Sequence, residues 1–212
     1  MISIAITVCN EHKELETLLD YLSERALSPD YEIVIQIDEE NHTPEVLHII
    51  LNKGIKHHFY PLNKDFAAYK NELIKHCSGE YIFQIDADEL PNVDLLDMLP
   101  GILKSNPDVD VYLVPRINTV SGITEEHIQK WKWNVEGDRI NFPDYQWRIY
   151  KNISSIKWIN KVHERLDGFK TYSILPPQDE FCLLHPKTIE KQEKQNEFYN
   201  TCLLYTSDAA DE

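Results

Sequence analysis

Three carboxylates, Asp86, Asp88 and Glu89, close the stretch Glu80-Tyr-Ile-Phe-Gln-Ile-Asp-Ala-Asp-Glu89. Tyr81 to Ile85 is rich in strand formers, so a buried strand runs straight into clustered like charges. Such a cluster is costly unless something positive compensates it, because carboxylates repel and desolvation adds to the penalty. In an open α/β sheet the carboxyl end of a strand is where ligands sit. Alternation along a strand would turn Asp86 and Asp88 to one side, within reach of one hard divalent cation. The plain alternative is a solvated acidic turn.

The elements that position these groups follow from the pattern of apolar residues. Ile2 to Val8 and Tyr31 to Ile37 read as strands, and Asp38-Glu39-Glu40 follows the second. Between them, Leu15, Leu18, Leu19, Leu22 and Leu27 recur at helical spacing from His12 on. Pro44 opens a second helix, Ile55 to Leu62 is a third strand, and Asn63 to Cys77 is a third helix. Beyond the acidic strand come a helix over Val93 to Leu103 and a strand over Val109 to Pro115. Arg116 to Pro143 reads as a long loop with room for a short hairpin. Tyr145 to Tyr150 and Phe181 to Leu184 are late strands, the last ending at His185, and Thr188 to Tyr199 is a polar helix. Strands alternating with helices call for an α/β fold with a Rossmann-like, mostly parallel central sheet flanked by helices.

A chain of 212 residues, 42% hydrophobic and 27% charged, suits one soluble domain. Formal net charge is −15, which argues against nucleic acid as a partner, since phosphate backbones need a basic face. No apolar run approaches membrane-spanning length, and the N-terminus lacks the pattern of a signal peptide. Cys9, Cys77, Cys182 and Cys202 have no paired spacing and read as reduced thiols of a cytosolic protein. The expected domain covers residues 1–201. Residues 202–212 resemble a translated sequencing adapter, so the native frame is expected to continue past about Thr201.

The order of these features resembles the family 2 glycosyltransferases of the GT-A fold. The resemblance rests on Ile4-Ala-Ile-Thr-Val-Cys-Asn-Glu11, Asp38, Asn63-Lys-Asp-Phe-Ala-Ala-Tyr-Lys-Asn71 and the Asp86-Ala-Asp-Glu89 segment. Gln146-Trp-Arg148-Ile-Tyr150 and Val162-His163-Glu164 bring it near the lipopolysaccharide core glucosyltransferase branch. Two departures stand out: Val8-Cys9-Asn10 where many relatives carry Pro and Tyr, and Lys70 where Arg is commoner.

The resemblance implies inverting transfer of a sugar from a nucleotide-diphosphate donor to a glycan or lipid-linked acceptor hydroxyl. It also implies Mg²⁺ or Mn²⁺ on Asp86 and Asp88, with His185 completing the metal or diphosphate site. Glu164 is the candidate base, with His163 facing the other way toward diphosphate or metal. Thr7, Asn10, Glu11 and Asp38 are candidates for the base and ribose, and Lys70 and Arg148 for the diphosphate or an anionic acceptor. A structural ion pair accounts for Lys70 and Arg148 almost as well. Trp131, Trp133 and Trp147 are candidates for stacking on sugar rings. A cytoplasmic location is expected, with peripheral attachment to the inner membrane face left open. The competing readings are a sugar nucleotidyltransferase, which lacks its Gly-rich phosphate loop here, and a non-catalytic glycan-binding module.

Overall fold

The computed structural model describes residues 1–23 and 29–197. The adapter-like tail and the expected helix ends at Leu27 and Tyr199 lie outside these residues. In the N-terminal half, β1 (Ile2–Val8), β2 (Tyr31–Asp38), β3 (Lys56–Tyr60) and β4 (Tyr81–Asp86) form a parallel sheet. They are joined by α1 (His12–Ser23), α2 (Pro44–Asn52) and α3 (Phe66–Ile74). Helices cover both faces, so β1 and β4 are almost continuously buried instead of alternating with solvent. Ile4, Ile6 and Phe83 pack with Leu15, Leu18, Leu19 and Leu22 of α1 on one face. Ala5, Val34 and Ile82 point the other way, toward Ala67 and Leu73 of α3.

After the short β5 (Leu90–Pro91) comes α4 (Val93–Ser105), which carries Pro100 inside it. Proline has no N–H for the carbonyl four residues earlier, Leu96. The hydroxyl of Tyr31 donates to that carbonyl at 2.6 Å, so the helix continues without a buried orphan. The third helix begins at Phe66, not Asn63, because Asn63 and Lys64 adopt positive φ (48° and 54°). Asp65 then caps it, accepting from the Ala68 N–H at 2.9 Å.

The C-terminal half differs more from the sequence reading. The expected loop over 116–143 is instead β6 (Val111–Ser121), α5 (Glu125–Trp131), β7 (Val135–Glu136) and the start of β8 (Arg139–Lys151). Alternating polar residues in β6 and β8 face the pocket instead of solvent, so they read as loop while forming a long antiparallel pair. A β9 (Lys157–Ile159) and β10 (Arg165–Asp167) hairpin, β11 (Tyr172–Ile174) and β12 (Leu183–Thr188) follow, and residues 189–197 are helical. The main sheet runs β3-β2-β1-β4-β8-β6-β12-β5. Gly168 (φ 82°) lets the β10 end pass the Ser155 carbonyl, where an added Cβ would lie only 1.8 Å from the oxygen.

Register puts the functional groups on one edge. Thr7 lies beside Asp86, His185 beside Asn118, and Arg116 beside Asp144. No helix of the described residues is long and apolar enough to cross a membrane.

Candidate active site

Asp86 is the last residue of β4, while Ala87 and Asp88 form a turn, so strand alternation does not apply to the pair. The two carboxylates have separate partners. Asp86 accepts from the Arg148 guanidinium at 2.7 Å and from the Thr7 hydroxyl at 3.2 Å, with Lys70 Nζ 3.9 Å away. Burial pushes the Asp86 carboxyl up, but Arg148 and Lys70 more than offset this and hold it well below the usual range. Asp88 lies 3.4 Å from His185 Nε2 and 3.2 Å from Lys191 Nζ. Burial is again outweighed, here by the His185 hydrogen bond and the charges around it, and Asp88 is strongly acidic.

Glu89, which the sequence left without a role, is fully buried. Its Oε1 accepts from Arg148 at 2.6 Å and Arg116 at 2.7 Å, and its Oε2 accepts from the Asp86 N–H at 3.2 Å. Arg116 also grips Asp144 at 2.7 and 2.9 Å. Arg148 is therefore a buried counter-ion, its charge taken up by Asp86 and Glu89.

Lys70 is similarly occupied. It lies on α3, 4% exposed, 2.6 Å from Glu164 Oε1 and 4.6 Å from the Trp158 ring centroid. The loop bearing Glu164 is fastened to the same helix. The Asn71 side chain bonds both the carbonyl (2.8 Å) and the N–H (2.9 Å) of Trp158, and the Phe66 N–H reaches the Lys161 carbonyl. His163 and Glu164 stand in a bend, not on a strand, and His163 has φ 54°. The strand alternation expected of them therefore does not apply, and both residues line the same cavity.

On the nucleotide side, Glu11 Oε2 accepts from the N–H groups of Cys9 and Asn10 at 3.0 Å each, clasping its own loop. Asp38 is 2% exposed and accepts from the Leu62 and Glu40 N–H groups and from Asn41. It ties the ends of β2 and β3 together at the cavity wall. Burial and the nearby Glu11 and Asp38 charges push the Cys9 thiol up to about 12, which keeps it neutral beside them.

These groups surround a cavity of about 550 Å³. Thr7, Glu11, Asp38, Lys70, Asp86, Asp88, Arg148, His163, Glu164 and His185 all line it; Asn10 does not. Trp133 and Trp147 are in the wall with Trp158, whereas Trp131 packs against Trp133 behind it. Sequence reasoning missed Arg116, Asn118 and Lys187, because they lie on a segment read as loop and beyond the expected end of the last strand. His185 does not end β12; the strand runs on to Thr188 and brings Lys187 to the cavity on the same face. Lys187 is 9% exposed, donates to Gln195 at 2.5 Å, and has no carboxylate within ion-pair distance among the described residues. Burial lowers its pKa, with the Asp88 charge offsetting part of the effect.

Among the described residues no three His, Cys, Asp or Glu side chains gather into a metal cage. Asp88 and His185 nevertheless face each other across 3.4 Å, with Asp86 on the same cavity wall. A site of one or two carboxylates and an imidazole fits a hard divalent ion that takes its other ligands from a bound diphosphate and water. Lys191 already puts a cation against Asp88, so the position suits positive charge. The described cysteines are free thiols.

A parallel βαβ half whose strand ends open on an acidic cavity, continued by β8, β6 and β12, is a GT-A architecture. The chain belongs to glycosyl transferase family 2, whose domain matches residues 3–172. Among solved structures it is similar to S. aureus TarS 1–349 in complex with UDP-GlcNAc, at 17% identity and TM-score 0.61, covering 88% of this chain and 58% of that one. The same fragment in complex with UDP gives 17% identity and TM-score 0.54 over 84% of this chain and 61% of that one. A further structure of S. aureus TarS gives 18% identity and TM-score 0.51 over 71% of this chain and 28% of that one. The chain thus spans less than two thirds of each of these structures. No curated protein sequence matches it.

Proposed function

We propose that the protein is a metal-assisted, inverting glycosyltransferase that passes a sugar from a nucleotide-diphosphate donor to an acceptor hydroxyl. The observation that carries this reading is the acidic end of β4 in a cavity that also holds Glu164, His185 and Lys187, in a chain of this family. Asp86, Asp88 and His185 would hold Mg²⁺ or Mn²⁺, which offsets the charge that develops on the leaving diphosphate. Lys187 adds a cation from the protein itself, since no carboxylate among the described residues lies within ion-pair distance of it. Thr7 and Asp38 border the nucleotide end, and Trp133 and Trp147 offer flat apolar faces for sugar rings.

Glu164 accepts the acceptor's proton in this scheme. Lys70 occupies Oε1, and among the described residues Oε2 carries no hydrogen bond. Lys70 also lies 3.9 Å from Asp86, so its ammonium stays compensated once Glu164 is protonated. The Gln146-Trp-Arg148-Ile-Tyr150 and Val162-His163-Glu164 motifs favour a lipopolysaccharide or surface-polysaccharide acceptor, with the reaction on the cytoplasmic side and the enzyme at or near the inner membrane face. A screen of nucleotide sugars with and without Mn²⁺ tests the reading, because slow donor hydrolysis needs no acceptor. Metal-dependent hydrolysis of one donor is expected; no hydrolysis and no UDP or GDP binding would sink it.

A further inference from the structure

We infer that Asn118, anchored by Asp144, is a positioning residue that fixes which nitrogen of His185 faces Asp88. This rests on the reading of the cavity as a donor and metal site. The anchor is held at both of its oxygens. Asp144 Oδ2 is gripped twice by Arg116, at 2.7 and 2.9 Å, and Gln146 donates to its Oδ1 at 2.7 Å. Asn118 Nδ2 donates to the same Oδ2 at 2.8 Å, which sets the orientation of the amide. Its Oδ1 must then face across the β6–β12 register to His185 Nδ1, 2.7 Å away.

An amide oxygen only accepts, so the ring hydrogen belongs on Nδ1. Nε2 is turned to Asp88 Oδ2 at 3.4 Å. With Nδ1 holding its hydrogen against Asn118, the Nε2 hydrogen that faces Asp88 in the metal-free chain is the one a cation replaces, and the lone pair it leaves and the carboxylate together suit one cation. With the other tautomer, Nε2 would only donate to Asp88 and have no lone pair for a ligand. Asn118 thus selects His185 as a ligand by holding the ring's far side, as outer hydrogen bonds to metal-bound imidazoles do. The sequence gives no sign of this, since Asn118 lies 67 residues from His185.

The test measures Mn²⁺ affinity by electron paramagnetic resonance of the free ion, on the full chain with saturating UDP, in wild type and Asn118→Ala. A loss of about 10–100-fold in the variant is expected, while UDP affinity without metal stays within about threefold of wild type. Long-range ¹H–¹⁵N spectra of the wild-type complex with Mg²⁺ and UDP, with His185 assigned by subtraction of His185→Gln, should show the hydrogen on Nδ1. A variant that binds Mn²⁺ as wild type does, or a hydrogen on Nε2 in the complex, overturns the inference but leaves the donor site standing. If Asn118→Ala fails to fold, the wild-type spectrum decides alone. Wild type without metal-dependent UDP binding would bring down the donor-site reading and this inference with it.

Discussion

Glu89 and Arg148 meet through a 2.6 Å hydrogen bond between two side chains that are 0% and 4% exposed. The bond is one link in a chain of alternating charge: Asp144, Arg116, Glu89, Arg148, Asp86, Lys70 and Glu164. Each buried charge has an opposite neighbour, which is the condition for keeping such groups away from water. The carboxylates at the end of β4 therefore divide their work. Asp86 and Asp88 face the cavity, and Glu89 holds the cations behind them.

Removing Glu89 leaves Arg116 with Asp144 alone and Arg148 with Asp86 alone, beside an empty buried acceptor position. Breaking a buried pair costs about 3–5 kcal/mol when one partner is deleted. Glu89→Ala should lose stability of that order in urea unfolding, and Glu89→Gln, which keeps shape and one acceptor, should lose less. A Glu89→Ala protein within about 1 kcal/mol of wild type would mean that water or backbone shifts compensate both arginines.

Glu164 is tied to Lys70, so a change there has two separable consequences. Glu164→Gln keeps an oxygen for Lys70 but cannot take a proton. Turnover should fall about 10²–10⁴-fold, the usual contribution of a positioned base. Binding of UDP with Mn²⁺ should stay within about threefold of wild type, measured by calorimetry. An unchanged kcat would remove Glu164 from the mechanism.

Lys187 predicts a trade between stability and binding. A buried ammonium without a carboxylate partner is a burden on the fold, so Lys187→Met should leave the melting temperature unchanged or raised. The same change should weaken UDP binding about tenfold, roughly 1.4 kcal/mol, because a cation near the diphosphate is lost. Equal UDP affinity in both proteins would show that Lys187 does not reach the phosphates.

Much of this is legible in the residues. The first four strands and their helices follow from apolar spacing, because both faces of that sheet are covered by the chain's own helices. The cavity-lining acids at strand ends follow from the same logic, and ten of the eleven singled-out site residues line one cavity. What stays hidden is long-range pairing. Arg116 and Asn118 sit on a strand whose polar residues face inward, so their alternation reads as loop. The partners of Glu89 come from β6 and β8, 27 and 59 residues away, and nothing local announces them. Asn10 and Glu11 illustrate the opposite limit. They lie at a strand end, as expected, yet Glu11 uses its carboxylate on the loop backbone and Asn10 does not line the cavity.

The pH dependence follows from the acids of the site. Asp88 and Asp144 are both held below the ordinary carboxylate range, Asp144 by Arg116 and the Asn118 bond against the opposing effect of burial. Each binds its proton more weakly in the folded chain than in the unfolded one, where the value is about 3.9. The stability they contribute is therefore complete above that value and is lost as pH falls through the lower native ones. Urea midpoints should be flat from about pH 7 to 5 on this account and fall steeply below about pH 4. Asp144→Asn should lower the plateau and make the acid limb shallower. A variant whose acid limb matches that of wild type would show that Asp144 does not supply part of the linkage, and that the Arg116 pair is not maintained in solution.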